Sequence, residues 1–478
     1  MTDIISRASR IPNAGSRTTN HPPWTTTEAV DALQADLNHF DPAVRASALD
    51  ELVTLARQGH VAHTPEADVA NMHCHTFYSF NAYGHSPTSL AWVGKQHGIK
   101  LMGIVDFDVL DGVDEFLDAC EVVNLRGSAG IETRVFVPEY ASQEINSPGE
   151  PGVCYHMGIG FATGRVPDDV APILADLGQR AGQRNQLIVG RLNTYLDPVT
   201  VDYQRDVLSL TPAGHPTERH MVTAYITAAA SVVPDPAAFW AGKLHLARDD
   251  IAATMNDPPR FQGLVRSKLM KQGGVGYIRP ESGMFPTLDA FHELIVACGA
   301  LPCAAWLDGT STAEQDPERW LGFLLEKGVV AVNVIPDRNW NIADPETKQR
   351  KVGNLYRLVT LAQELSLPLN IGTEMNSFGQ KLVDDFDAPE LEPVRQAFLD
   401  GAYFAYGHTA LQRALGLGYQ SDWARAHLPT HRQRIEFYTD LGRRIPPGQA
   451  GVAALHRLDP DLSPDEMVSR WTRLQAAD

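Results

Sequence analysis

An α/β barrel interrupted by a helical insertion is the architecture this sequence predicts, and three observations predict it. From Asp68 onward short apolar segments alternate with amphipathic ones: ADVANMHCH then SPTSLAWVGKQHG, KLMGIVDFD then GVDEFLDAC, then GSAGIETRVFV. The alternation stops between about 167 and 268, where DDVAPILADLGQRAGQRNQLIVGRLNTYL and TERHMVTAYITAA carry helical spacing. It resumes at VGYIRP and continues through FPTLDAFHELIVACG, ALPCAAWLDG, WLGFLLEKG, VVAVNVIP, KVGNLYRLVTLAQELS and LPLNIGTEM, helix and strand in turn. Two stretches of one barrel therefore flank the insertion.

In chain order, residues 1–67 read as a tail and a helical extension. The start, MTDIISRASRIPNAGSRTTNHPPW, is polar and lacks the apolar run of a secretory signal, so disorder is expected there. Val30, Leu33, Leu37, Val44, Ala48, Leu52 and Leu55 then fall at helical intervals and predict two helices. Residues 68–166 form the first part of the barrel, 167–268 the insertion and 269–420 the second part. A last helical stretch, 421–478, carries no interpretable motif.

Composition limits the function classes. A chain of 478 residues, 44% of them hydrophobic, can bury a large core. Its formal net charge of -18 repels a polyanion, which argues against nucleic acid as a partner and leaves a small-molecule substrate. The longest apolar stretch, Leu294 to Leu307, is broken by Gly299 and Pro302 and is too short to span a bilayer. The five cysteines (Cys74, Cys120, Cys154, Cys298, Cys303) have no paired spacing and read as buried thiols of a reducing compartment, so a cytoplasmic location is expected. With no Walker loop, no nucleophile elbow and no correctly spaced glycine fingerprint, nucleotide cofactors are not indicated. Oligomeric state has no signal in the sequence.

In ADVANMHCHTFYSF, His73 and His75 stand two apart at a strand end, which projects both imidazoles from one face into a barrel mouth as a clamp for a divalent metal. HxH alone is a weak signal, and its surroundings strengthen it. HCHTFYSFNAYGHSPTSLA, GIVDFDVLDGVDEF and AGIE resemble, in order and spacing, the HxHTxxS, TDHDxxxG and GIE motifs of the polymerase-and-histidinol-phosphatase (PHP) family. The resemblance covers Asp68 to Glu132 and, more weakly, Thr287 to Asn376. It implies a distorted (β/α)7 TIM-like barrel with up to three metals at its rim, hydrolysing phosphoesters. It further implies that His73, His75, Glu132 and Glu374 hold one ion, Zn, Mn or Fe. Glu132 and His156 belong to a second position, in doubt because Trp306 replaces the expected histidine, with Asp308 a possible substitute. The third position is dismantled: Asn81, Phe107 and Asn376 stand at its three histidines.

A phosphoester transition state needs its spread charge neutralised, so lost metals weaken a phosphatase reading unless Arg134, Arg279, Arg338 or Lys381 compensates. Arg134 is included as a catalytic candidate on that ground. Asp106 and Asp108 are expected on one strand face, with Asp106 the preferred acid/base candidate. In the insertion, His215, Glu218 and His220 cluster where Thr217 could cap a helix, a segment that could act as a lid. The leading reading is a metal-dependent hydrolase acting on a small phosphorylated or polyhydroxylated metabolite through metal-activated water. The alternatives are a metal-dependent lyase or isomerase of a sugar or sugar acid, and a silent metal-binding barrel serving as a binding module.

Overall fold

The apolar segments fold into seven strands: β1 (Ala67–Cys74), β2 (Ile99–Phe107), β3 (Arg126–Phe136), β4 (Val153–Ile159), β5 (Leu301–Trp306), β6 (Ala331–Val334) and β7 (Leu369–Ile371). They come from a computed structural model that describes residues 26–279 and 283–475; the tail expected over residues 1–24 lies outside that range. The strands are hydrogen-bonded in sequence order. Beyond β7 the chain returns to β1: the Glu374 N–H donates to the His73 carbonyl and the His75 N–H donates to that of Glu374, both at 2.8 Å. The sheet thus curls until its first and last strands meet, which is the expected barrel.

The expected strand–helix repeat fails at one place. β4 runs antiparallel to both β3 and β5, while the other neighbours are parallel. The cause is local: β3 and β4 are joined by the short 3-10 turn Pro138–Tyr140 and a loop, with no crossover helix to carry the chain back to the starting end. β5 and β6 are buried along their whole length, as a sheet covered on both faces requires.

The N-terminal extension forms two helices, Thr26–Asp36 and Pro42–Arg57; the second is capped by Asp41, starts with proline and buries Ala48, Leu49 and Leu52. The C-terminal stretch is also helical and is part of the barrel's wall. Its helix His431–Arg444 crosses Arg395–Leu415 so closely that a methyl group on Gly442 would run into the Tyr403 carbonyl, which is why glycine stands there.

The insertion has a core of its own. Helices Glu218–Val232, Pro236–Leu244, Arg248–Met255 and Pro258–Met270 close around Leu192, Met221, Val222, Trp240 and Val265, separately from the barrel core. The long helix Ala171–Tyr195 joins the two, with Leu177 packed into the barrel core and Ile188, Val189 and Leu192 into the insertion core. Among the described residues no helix is long and apolar enough to cross a membrane, and the five cysteines form no disulfide.

Candidate metal centre

β1 ends at Cys74, and the alternation of its pleat carries one residue further: His73 and, just past the strand, His75 turn to one side and the intervening Cys74 to the other. Glu132, inward on β3, meets them. Its Oε2 lies 3.4 Å from His73 Nε2 and 3.3 Å from His75 Nε2, and all three residues are buried. Among the described residues this is the group of His, Cys, Asp and Glu side chains that could hold a metal ion.

The surroundings fix both tautomers. Asn370 Nδ2 donates to Asn333 Oδ1 at 2.9 Å, which turns that oxygen toward His73 Nδ1 at 3.2 Å, so Nδ1 carries the proton. Ser79 Oγ donates to Asp106 Oδ1 at 2.6 Å and is left to accept from His75 Nδ1 at 3.1 Å. Both Nε2 atoms then present bare lone pairs to a carboxylate oxygen, and all three atoms are buried without a hydrogen-bond partner. Three converging acceptors with no donor between them fit a cation, and two imidazoles with one carboxylate are a donor set suited to Zn, Mn or Fe.

Backbone approach is equally tight. A Cβ on Gly372, just past β7, would lie 2.5 Å from both the backbone nitrogen and the Cβ of His73, so only glycine lets β7 seat the first histidine. Asn333→Leu keeps the volume but removes the acceptor that fixes the His73 tautomer. It is expected to weaken metal affinity by about 10–100-fold with little change in fold, measured by competition with a fluorescent chelator.

The other expected site residues are placed as follows. Glu374 lines the cavity above His73 and Glu132, but its Oε2 accepts from Arg338 Nη2 at 2.8 Å and Gln380 Nε2 at 3.0 Å, outside the three-residue group. His156 faces away from the barrel mouth. Its neighbour Tyr155 lines the cavity, so the pleat turns His156 to the opposite side, where its Nε2 meets His292 Nε2 at 2.7 Å on helix Leu288–Ala297. It therefore cannot join Glu132 in a second metal position. Asp308 does not replace the missing histidine either, because it pairs with Lys351 Nζ at 2.7 Å. Trp306 lines the cavity instead.

Asp106 and Asp108 do not share a face. The strand ends at Phe107, and Asp108, at φ 62°, turns away from its pleat to accept from Thr133 Oγ1 at 2.5 Å. Asp106 faces the loop after β1, where it accepts from Thr76 N (2.7 Å), Thr76 Oγ1 (2.6 Å) and Ser79 Oγ. That carboxylate is saturated by hydrogen bonds and positions His75 through Ser79; it is not a free acid or base. At the dismantled third position the Phe107 ring stacks on His75, centroids 4.4 Å apart, and Asn81 Nδ2 donates to the His75 carbonyl at 2.8 Å. Those side chains now pack and brace the first site.

Sequence reasoning missed the charge above the centre. A cavity of about 330 Å³ opens over His73 and Glu132, and Arg219, Arg266, Lys271 and Arg338 line it. Three of these four belong to the insertion or its exit, where a lysine or arginine at a helix end looks like any solvated charge. Arg134 and Arg338 do reach cavities, whereas Lys381 lies over the Trp340 ring and Arg279 lines neither cavity. Thr217 caps its helix as expected, with His220 completing the cap, and Glu218 binds Arg266 Nε and Lys271 Nζ, each at 2.8 Å.

That triad makes the insertion acid-sensitive. Burial pushes the Glu218 carboxyl up, but Arg266 and Lys271 bring it from 4.5 to about 2. A depressed carboxyl contributes stability that is complete above its ordinary value and is lost as pH falls through the folded one. Hydrogen exchange in helix Pro258–Met270 is therefore expected to accelerate between about pH 4.5 and pH 2, ahead of the barrel strands. Glu218→Gln should show the fast exchange already at neutral pH.

No family model matches the chain, and comparison with curated proteins finds no match. The structure is similar to that of an amidohydrolase from Chromobacterium violaceum with bound sulfate and no metal: TM-score 0.47, 13% identity, covering 70% of this chain and 96% of that one. It is similar also to a protein from Bifidobacterium adolescentis described as a proposed metal-dependent phosphoesterase: TM-score 0.43, 20% identity, covering 69% and 96%. These likenesses concern the fold.

Proposed function

We propose that this chain is a metal-dependent hydrolase that cleaves small phosphoesters. One observation carries the reading: the unpartnered acceptors of His73, His75 and Glu132 converge beneath a cavity that His73 and Glu132 line and whose walls carry Arg219, Arg266, Lys271 and Arg338. His73, His75 and Glu132 would hold a divalent ion, which would supply Lewis-acid polarisation and lower the pKa of water. The protein's own groups do the rest. Arg219 and Arg338 line the cavity an anionic ester would enter, and cations in a partly dry cavity stabilise the charge that spreads over the ester's non-bridging oxygens during phosphoryl transfer. Trp306 and Phe107 exclude water from the floor. Arg219 supplies charge with no carboxylate partner among the described residues, and Arg266, Lys271 and Arg338, which share Glu218 and Glu374, add to the compensation that the lost metal positions call for.

The lyase or isomerase reading draws on the missing third metal position and on Asp106 as acid or base, and of these the carboxylate is already filled by its three donors. The test is turnover. Purified protein reloaded with Mn or Zn is expected to release phosphate from a panel of small phosphomonoesters and diesters, and His73→Ala protein to release none. No release by the reloaded protein across the panel overturns the reading.

A further inference from the structure

A second cavity, about 150 Å³, adjoins the first on the insertion side, and Phe107, Tyr155, Thr217, Arg266 and Lys271 line both. It lies between the ends of β3 and β4 and the helix Ala171–Tyr195. Its lining carries Arg134, Arg180, Arg184, Arg266 and Lys271 against the carboxylates of Asp108 and Glu218, an excess of positive charge in a chain whose net charge is -18.

Four of those cations are already paired, and Arg134 is one of them. Arg180 pairs with Asp176, and Arg266 and Lys271 share Glu218. The Arg134 and Arg184 guanidinium groups both lie over the face of the same ring, Phe285, at 4.3 Å and 5.5 Å from its centroid. Arg134 has one partner, Glu150 Oε2 at 2.8 Å, while among the described residues Arg184 makes no hydrogen bond and no ion pair. Asp108 is the carboxylate that attracts it most, yet its Oδ1 accepts from Thr133 Oγ1 and makes no ion pair with Arg184. Two like charges on one aromatic ring repel each other, and burial together with Arg134 pushes the Arg184 guanidinium below its ordinary range. An anion in the cavity that both line relieves these costs by accepting N–H donors from guanidinium groups.

We propose that Arg184, with Arg134, forms a distal anion subsite, so that the preferred substrate carries two anionic groups: a phosphoester over the His73, His75 and Glu132 floor and a carboxylate or second phosphate against Phe285. The specificity element lies in the insertion, which explains why this barrel carries one over its mouth. The inference rests on the hydrolase reading for the identity of the first group, but the Arg184 subsite is testable without it.

The test uses ω-hydroxyalkyl phosphates of two to six carbons, the matching ω-carboxyalkyl phosphates and the matching alkanediol bisphosphates, with the metal-loaded full chain. Wild-type protein is expected to favour one of the doubly anionic series by about tenfold or more in kcat/KM, through KM. Arg184→Met should remove that preference while leaving the hydroxyalkyl compounds within about twofold, and Arg184→Lys should restore part of it. Carboxylate and phosphate are told apart by which series is preferred. No preference in wild type, or an equal loss on all three series in Arg184→Met, overturns the subsite and leaves the hydrolase standing. A separate measurement covers the converse: calorimetric binding of inorganic phosphate to the His73→Ala, His75→Ala double variant. Arg184-dependent binding there retains the subsite even if the reloaded wild-type protein releases no phosphate and the hydrolase reading falls; binding indifferent to Arg184 overturns the subsite.

Discussion

His73→Ala and His75→Ala, each alone, are expected to take metal content from about one ion per chain to near zero and to abolish turnover. Each supplies a bare Nε2 to a site where only three residues converge, so each loss leaves two donors and exposes Glu132 to solvent or to the remaining histidine. The effect should exceed the about 10–100-fold expected of an outer partner such as Asn333. Elemental analysis after dialysis against a weak chelator measures it. Folding should survive, because both rings sit at the end of β1 and the barrel core is built below them. Retained stoichiometric metal in either variant would place the ion elsewhere.

Asp106→Ala is expected to be the most destabilising single change near the centre, by about 3–5 kcal/mol in denaturant unfolding. The buried carboxylate takes the Thr76 N–H, the Thr76 hydroxyl and the Ser79 hydroxyl at 2.6 to 2.7 Å, and its removal leaves all three donors in a dry interior. Ser79 is then free to turn, and His75 loses the acceptor that fixes its tautomer. Metal affinity should fall with stability. Asp106→Asn, which keeps one acceptor oxygen and can meet the Thr76 hydroxyl with the opposite polarity, should lose about 1–2 kcal/mol. An Asp106→Asn protein with wild-type stability and metal content but no turnover would show that Asp106 acts on the substrate rather than on the loop.

These two predictions separate residues that the sequence treats alike. His73, His75 and Glu132 were legible because each is settled within a few residues of chain. The two-residue period of a strand puts both histidines on one side, and the order of the segments brings β3 within two strands of β1. The same period could not orient His156. β4 is buried on both faces, so a single polar residue among apolar neighbours carries no mark of which face is the barrel's. For Asp108 the period itself broke, at the positive φ that ends β2.

What the sequence by itself determined was the alternation of strands and helices and the three donors, two about the end of β1 and one within β3. Each of these depends on local spacing and on apolar patterning, and such patterns are written along the chain. Tertiary structure alone decided which carboxylates remain available and where positive charge collects. Glu374 is turned to Arg338 from another strand end, Asp106 is filled by a loop thirty residues upstream, and Arg184, Arg219, Arg266 and Lys271 converge on the barrel mouth from separate segments. Electrostatic and hydrogen-bond partners are chosen by distance in space, which falls off within a few ångströms and bears no fixed relation to distance along the chain.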